Sequence, residues 1–132
     1  MSKRKSNDRK NLLRRLQAEF SRIVTLFDGK ECRNPDCLCR KKRATGQEPT
    51  FIERIITAHH IIFKSQGGAY TAENGINLCN LCHEAVQSGH GKGDDRLTGH
   101  QFMLKILDSL IDDPGYRWGD VHEQLKRRQG DG

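Results

Sequence analysis

The sequence predicts an α+β fold: a small cysteine-stapled core of two short strands and one short helix, set between an N-terminal helix and C-terminal helices. Three observations predict it. Five cysteines fall in two groups, Cys32, Cys37 and Cys39, then Cys79 and Cys82. Apolar residues recur at helical spacing towards both ends of the chain. Between them a β-branched run, Ile55-Ile56-Thr57, leads through Ala58 into adjacent histidines, His59 and His60. The chain has 132 residues, one domain's worth, with an apolar fraction of 34% and an aromatic fraction of 6%. A core that thin needs a staple.

Taken in order, residues 1–7 are too polar to pack and are expected to be disordered. From about Asp8 to Phe27, the spacing of Leu12, Leu13, Leu16, Phe20, Ile23, Val24 and Phe27 predicts a helix. Asn7 or Asp8 can cap its start, and Asp28-Gly29 stops it. Residues 30–50 hold three cysteines, two prolines and a basic run, which predicts a loop. Phe51 to Thr57 reads as a strand running into His59-His60, Gln66 to Tyr70 as a turn, and Asn74 to Leu78 as a second strand. A short helix begins at Cys82-His83 and breaks at the glycines 89, 91 and 93. Thr98 caps a further helix carrying Phe102, Met103, Ile106, Leu107, Leu110 and Ile111, which Asp113-Pro114-Gly115 ends. Trp118 returns to the core and a charged helix follows from Gly119 to Arg128. The expected organisation is a basic disordered arm over 1–10 and a single domain over 11–132. That domain has its core at about 30–92 and a helical extension over 98–128.

Net charge is +6, from 23 basic and 17 acidic residues. The first fifteen residues hold seven basic residues, Lys3, Arg4, Lys5, Arg9, Lys10, Arg14 and Arg15, against Asp8 alone. Arg40-Lys41-Lys42-Arg43 forms a second cluster. Such groups suit a polyanion, of which nucleic acid is the default, or else simply keep a tail in solution. No apolar stretch approaches a membrane span, so no membrane partner is expected. An odd number of cysteines and no apolar leader fit a reducing cytoplasm, where clustered cysteines are zinc ligands rather than disulfides.

Cys79-x2-Cys82 is one metal knuckle, and Cys32-x4-Cys37 supplies a second. Four sulfurs close a tetrahedral structural Zn²⁺ site that ties the N-terminal loop to the start of the short helix. Cys39 is left as a free thiol, with its replacement of Cys37 as the alternative.

The segment from Cys32 to His83 resembles the HNH endonuclease family. The resemblance is carried by His59-His60 at a strand end, by Asn74, and by His83 directly after Cys82. It implies a ββα-metal finger (a His-Me finger) and a metal-dependent nuclease. In that reading His60 is the general base, Asn74 orients it by bracing the loop, and His59 and His83 hold one divalent cation: Mg²⁺, Mn²⁺, Ni²⁺ or Zn²⁺. The products are a 5′-phosphate and a 3′-hydroxyl. A further ligand four residues after His83 would be usual, and here Gln87 stands there. His90 lies seven residues on, about 10.5 Å along a helix axis, and reaches the ion only if the helix breaks and folds back. His90 is the expected third ligand, with Gln87 or water as alternatives.

The partner implied is DNA, with RNA left open, gripped by Lys3, Arg4, Lys5, Arg9, Lys10 and by Arg40, Lys41, Lys42 and Arg43. Compact members of the family serve phages and mobile elements in DNA packaging or homing. The resemblance therefore also implies a bacterial host cell, packaging proteins as partners, and a monomer or weak dimer. The competing expectation is a zinc-stapled nucleic-acid-binding module without catalysis, which would not need His60.

Overall fold

The computed structural model describes the backbone of residues 3–130 and the side chains of residues 7–128. Helix α1 spans Lys3–Asp28. Its Phe20 and Val24 are fully buried, while Leu12, Leu13 and Leu16 stay exposed. The C-terminal half therefore lies on the body and the N-terminal half stands clear of it. The disordered arm expected over residues 1–10 is instead helical from Lys3. Lysine, arginine and leucine are strong helix formers, no glycine or proline interrupts them, and the packed half supplies a nucleus to extend. Asn7 and Asp8 accordingly sit inside the helix rather than capping it. The expected stop holds: Gly29 has φ +69° and its N–H donates to the Thr25 carbonyl at 2.8 Å.

The segment expected as a loop contains α2, Leu38–Ala44. An apolar stripe was the missing signal, because α2 is held by the cysteine cluster: the Leu38 N–H donates to Cys82 Sγ at 3.4 Å. Three of its four basic residues, Lys41, Lys42 and Arg43, lie in the last turn, where they oppose the negative helix end. The strand expected from Phe51 is instead a helical turn, α3, Phe51–Arg54. Thr50 and Glu53 form a reciprocal capping box there, which outweighs the β preference of Phe51 and Ile52.

Strands β1 (Ile56–His60) and β2 (Gly75–Cys79) pair antiparallel, with Ile56 opposite Cys79 and His60 opposite Gly75. Helix α1 packs on one face of this ribbon and α4, Asn80–Ser88, on the other. Gly75 is required by the first contact: a Cβ there would lie 2.3 Å from the Val24 side chain and 2.8 Å from Phe20. Ile76 and Leu78 are fully buried in the core shared with α4 and α5.

Helix α5, Gly99–Leu110, opens on a second capping box, Thr98 with Gln101. Helix α6 runs Gly119–Gly130. The link between them closes the structure. Trp118 is fully buried and donates its Nε1–H to the Gly75 carbonyl at 2.7 Å. Arg117 donates to Asp28 at 2.8 and 3.2 Å, and to the carbonyls of Ala72 and Gly75, both at 2.9 Å. Asp28 also accepts from the Asn77 N–H at 2.9 Å. One buried ion pair thus joins the end of α1, the start of β2 and the C-terminal helices. His122 is buried between Asp108 (2.7 Å) and the Tyr116 hydroxyl (2.6 Å), tying α5 to α6. Among the described residues no helix is long and apolar enough to cross a membrane.

Candidate active site and metal centre

Cys32, Cys37, Cys79 and Cys82 converge, all four Sγ atoms lying within 4.8 Å of one another. Cys37 and Cys79 are 3.8 Å apart. Zn–S bonds of about 2.3 Å give a tetrahedron edge of about 3.8 Å, so the donor set fits a zinc ion. Two groups donate to the sulfur of Cys82, the Leu38 N–H and Asn34 Nδ2, both at 3.4 Å. Such donors stabilise a thiolate. Hydrogen bonding from Cys32 leads in bringing the Cys79 thiol down to about 6. Cys39 lies outside the four. It is buried, its thiol donates to the Glu53 carbonyl at 3.3 Å, and burial leads in pushing it up to about 12.

The two histidines end β1, and the pleat sends them to opposite faces. His59 faces α4: its ring centroid is 4.4 Å from that of His83, at 78°. Thr57 Oγ1 lies 3.3 Å from His83 Nδ1, a contact that fixes the ring and leaves Nε2 for a ligand. His60 faces α1, stacked on Phe20 and edge-on to Tyr70, with centroids 4.0 and 4.8 Å away. Because the strand ends there, both rings still open on one cavity of about 500 Å³, which they share with Gln17, Lys64, His83 and Gln87. The Nε2 atoms of His59 and His60 are buried and have no hydrogen-bond partner among the described residues.

Burial sets the protonation of this group. It pushes His59 down to about 3, helped by the charges of His83 and His60. It pushes His60 down to about 4, helped by Lys64. His83 is lowered too, again chiefly by burial. All three imidazoles are neutral at pH 7, the form in which a ring nitrogen can accept a proton or bind a cation. The buried, unpartnered Nε2 of His59 beside neutral His83 fits a divalent cation.

Asn74 is buried, and its side-chain hydrogen bonds go to backbone rather than to the His60 ring. Its Oδ1 accepts from the Ile62 N–H at 2.7 Å, and its Nδ2 donates to the carbonyls of Ile62 (3.1 Å) and Ala69 (2.9 Å). Its own carbonyl accepts from the Ile61 N–H at 2.9 Å. The chain leaving His60 is thereby clamped on the next two residues.

His90 does not join the cavity. Gly89, at φ +89°, turns the chain as α4 ends, and residue 90 pairs with Leu97 as an isolated bridge. The His90 ring lies 5.7 Å from Phe102, in a separate recess with Leu38 and Lys41. Gln87, one turn after His83, lines the cavity instead. The basic cluster on α2 does not line it either. Lys42 is bound to Glu53 at 2.8 Å, Arg43 to Glu48 at 3.4 Å, and Arg40 to the Asn34 carbonyl. Lys41 lines the His90 recess. Arg9 and Lys10 are exposed on the free half of α1, whereas the side chains of Lys3, Arg4 and Lys5 lie outside the described residues.

Two of the cavity residues, Gln17 and Lys64, fall outside the site expected from the sequence. Gln17 carried a signal: it is a polar residue on the same helical face as Phe20 and Val24.

Residues 36–89 match the family model described as HNH endonuclease. The matched segment holds β1, β2, α4, the three cavity histidines and Asn74, and it leaves α1, Cys32 and the C-terminal helices outside. An HNH domain implies a nuclease-type function and a nucleic-acid partner. Comparison with curated proteins and with solved structures returned no match.

Proposed function

We propose that the protein is a metal-dependent DNA endonuclease that hydrolyses phosphodiester bonds, with His60 as the general base. One observation carries this reading: His59 and His60, whose buried Nε2 atoms lack hydrogen-bond partners among the described residues, line the same cavity as His83. A structural histidine in a core would have its nitrogens satisfied, as His122 has.

In this reading His60 takes a proton from water, and the oxygen so released attacks phosphorus. The bond to the 3′ oxygen breaks, and that oxygen takes a proton from solvent water, leaving a 3′-hydroxyl and a 5′-phosphate. Neutral His60 is suited to the step because burial keeps it unprotonated well below pH 7. His59 and His83, with Gln87 beside them, hold one divalent cation. When bound, that ion supplies positive charge against the charge gathering on the phosphate oxygens. Lys64, at the cavity, adds a second positive charge. Asn74 holds the chain that fixes His60. Zinc at the four cysteines is structural, joining α2 to the start of α4. The exposed basic residues of α1, Arg9 and Lys10 among them, grip the DNA backbone beyond the cleft.

Incubation of supercoiled plasmid with Mg²⁺, Mn²⁺ or Ni²⁺ tests the proposal. Relaxed or linear product from the wild type, absent with chelator and reduced by about 10²–10⁴ in His60→Ala, is expected. DNA binding without any product points instead to a zinc-stapled binding module.

A further inference from the structure

We propose that Gln17, contributed by α1 from outside the matched segment, positions the water that His60 deprotonates; the inference rests on the nuclease reading above. Three buried side-chain atoms lack a hydrogen-bond partner among the described residues: Gln17 Oε1, His59 Nε2 and His60 Nε2. All three residues line the same cavity. Buried polar atoms in folded proteins are nearly always satisfied, so three orphans around one space mark a place where ligands belong.

The helix explains why Gln17 is there. Phe20 stacks on the His60 ring at 4.0 Å with the planes 19° apart. Gln17 lies three residues earlier, one turn along the same helical face. The packing that fixes the base therefore also carries the Gln17 carboxamide to the flank of the cavity that His60 occupies. His59, on the opposite face of the strand, is engaged with His83.

Chemistry then pairs the two orphans on the α1 side. A carboxamide oxygen and a basic imidazole nitrogen are both acceptors and cannot bond each other. Water has two O–H donors and satisfies both at once. With one hydrogen directed to His60 Nε2 and the other to Gln17 Oε1, the oxygen lone pairs remain for phosphorus. On attack the first proton passes to His60, and the second stays on the oxygen that joins the new 5′-phosphate. Gln17 neither gains nor loses a proton; it fixes orientation.

Two variants test this, Gln17→Leu, which removes the acceptor at similar size, and Gln17→Glu, which keeps an acceptor oxygen. Plasmid nicking with Mn²⁺ gives kcat and KM, thermal melting gives stability, and Mn²⁺ titration calorimetry gives metal affinity. For Gln17→Leu we expect kcat to fall about 10- to 100-fold, with KM, melting temperature and Mn²⁺ affinity unchanged. Gln17→Glu should recover most of that loss. In the His60→Ala background, Gln17→Leu should lower the residual rate no further, because the two act on one water. Wild-type kcat in Gln17→Leu, a loss confined to KM or to metal affinity, or no recovery in Gln17→Glu overturns the proposal. If the wild type itself cleaves nothing, the nuclease reading falls and this inference with it; an active wild type beside an unimpaired Gln17→Leu removes only the latter.

Discussion

The imidazole of His60 lies face to face with the phenyl ring of Phe20, 4.0 Å between centroids and 19° between planes. Phe20 is fully buried on α1, so the proposed base is held by a helix outside the family's matched segment. Stability and cleavage should therefore respond together at this position. Phe20→Ala should destabilise the fold by about 3–5 kcal/mol. Phe20→Leu should fold with a smaller loss yet cleave more slowly, because an aliphatic side chain does not set the ring plane. Urea denaturation and plasmid kinetics on the two variants check this.

Removing the structural metal should open the domain. The four sulfurs join α2 to the start of α4, and the thin core gives little else to hold that corner. Metal analysis should find one tightly held zinc per chain. Chelation or Cys82→Ser should lower the melting temperature and loosen the histidine cavity that α4 helps to build. Cys39→Ser should retain the zinc, since its thiol bonds a carbonyl rather than joining the cluster. Mass spectrometry under native conditions separates these outcomes.

Arg117 and Asp28 form an ion pair whose acidic side chain is 0% exposed and whose basic one is 11% exposed. Removing Arg117 leaves the buried Asp28 carboxylate with Arg33, 3.8 Å away, as its remaining charged partner. Arg117→Met should therefore destabilise by about 3–5 kcal/mol, whereas replacing both partners with apolar residues should cost much less. Chemical denaturation of the single and double variants measures the difference.

The free half of α1 should act as a handle for DNA. Replacing Arg9, Lys10 and Arg14 with glutamine should weaken binding and flatten its salt dependence, by about 0.9 in the slope for each phosphate no longer neutralised. Helicity and melting temperature should hardly move, because these side chains are exposed. Fluorescence anisotropy at several salt concentrations reads the slope; an unchanged slope assigns the basic residues to solubility alone.

Much of the fold was readable because local signals agreed with one another. Thr98 with Gln101 and the apolar spacing behind them defined α5, and the cysteine spacing anticipated the four sulfurs that converge. The HNH resemblance seen in the histidines, Asn74 and Cys82-His83 is matched over residues 36–89. What failed had no local signal or had two in conflict. Helix α2 has no apolar stripe because sulfur contacts hold it. At Thr50–Glu53 a capping box competed with β-branched residues and won. His90 was near in sequence, but Gly89 turned the chain away, leaving Gln87 at the cavity. Gln17 could be placed beside His60 only by tertiary packing, since α1 and β1 are separated by 27 residues of chain.

The proposed reaction depends on His60 activating water against a phosphodiester. Single-turnover cleavage of an end-labelled DNA duplex in H₂¹⁸O tests it most directly. We expect one ¹⁸O in the 5′-phosphate product, a free 3′-hydroxyl, and a rate about 10²–10⁴ lower in His60→Ala at unchanged Mn²⁺ affinity. A 3′-phosphate product, no ¹⁸O in the product, or an undiminished rate in His60→Ala would contradict it.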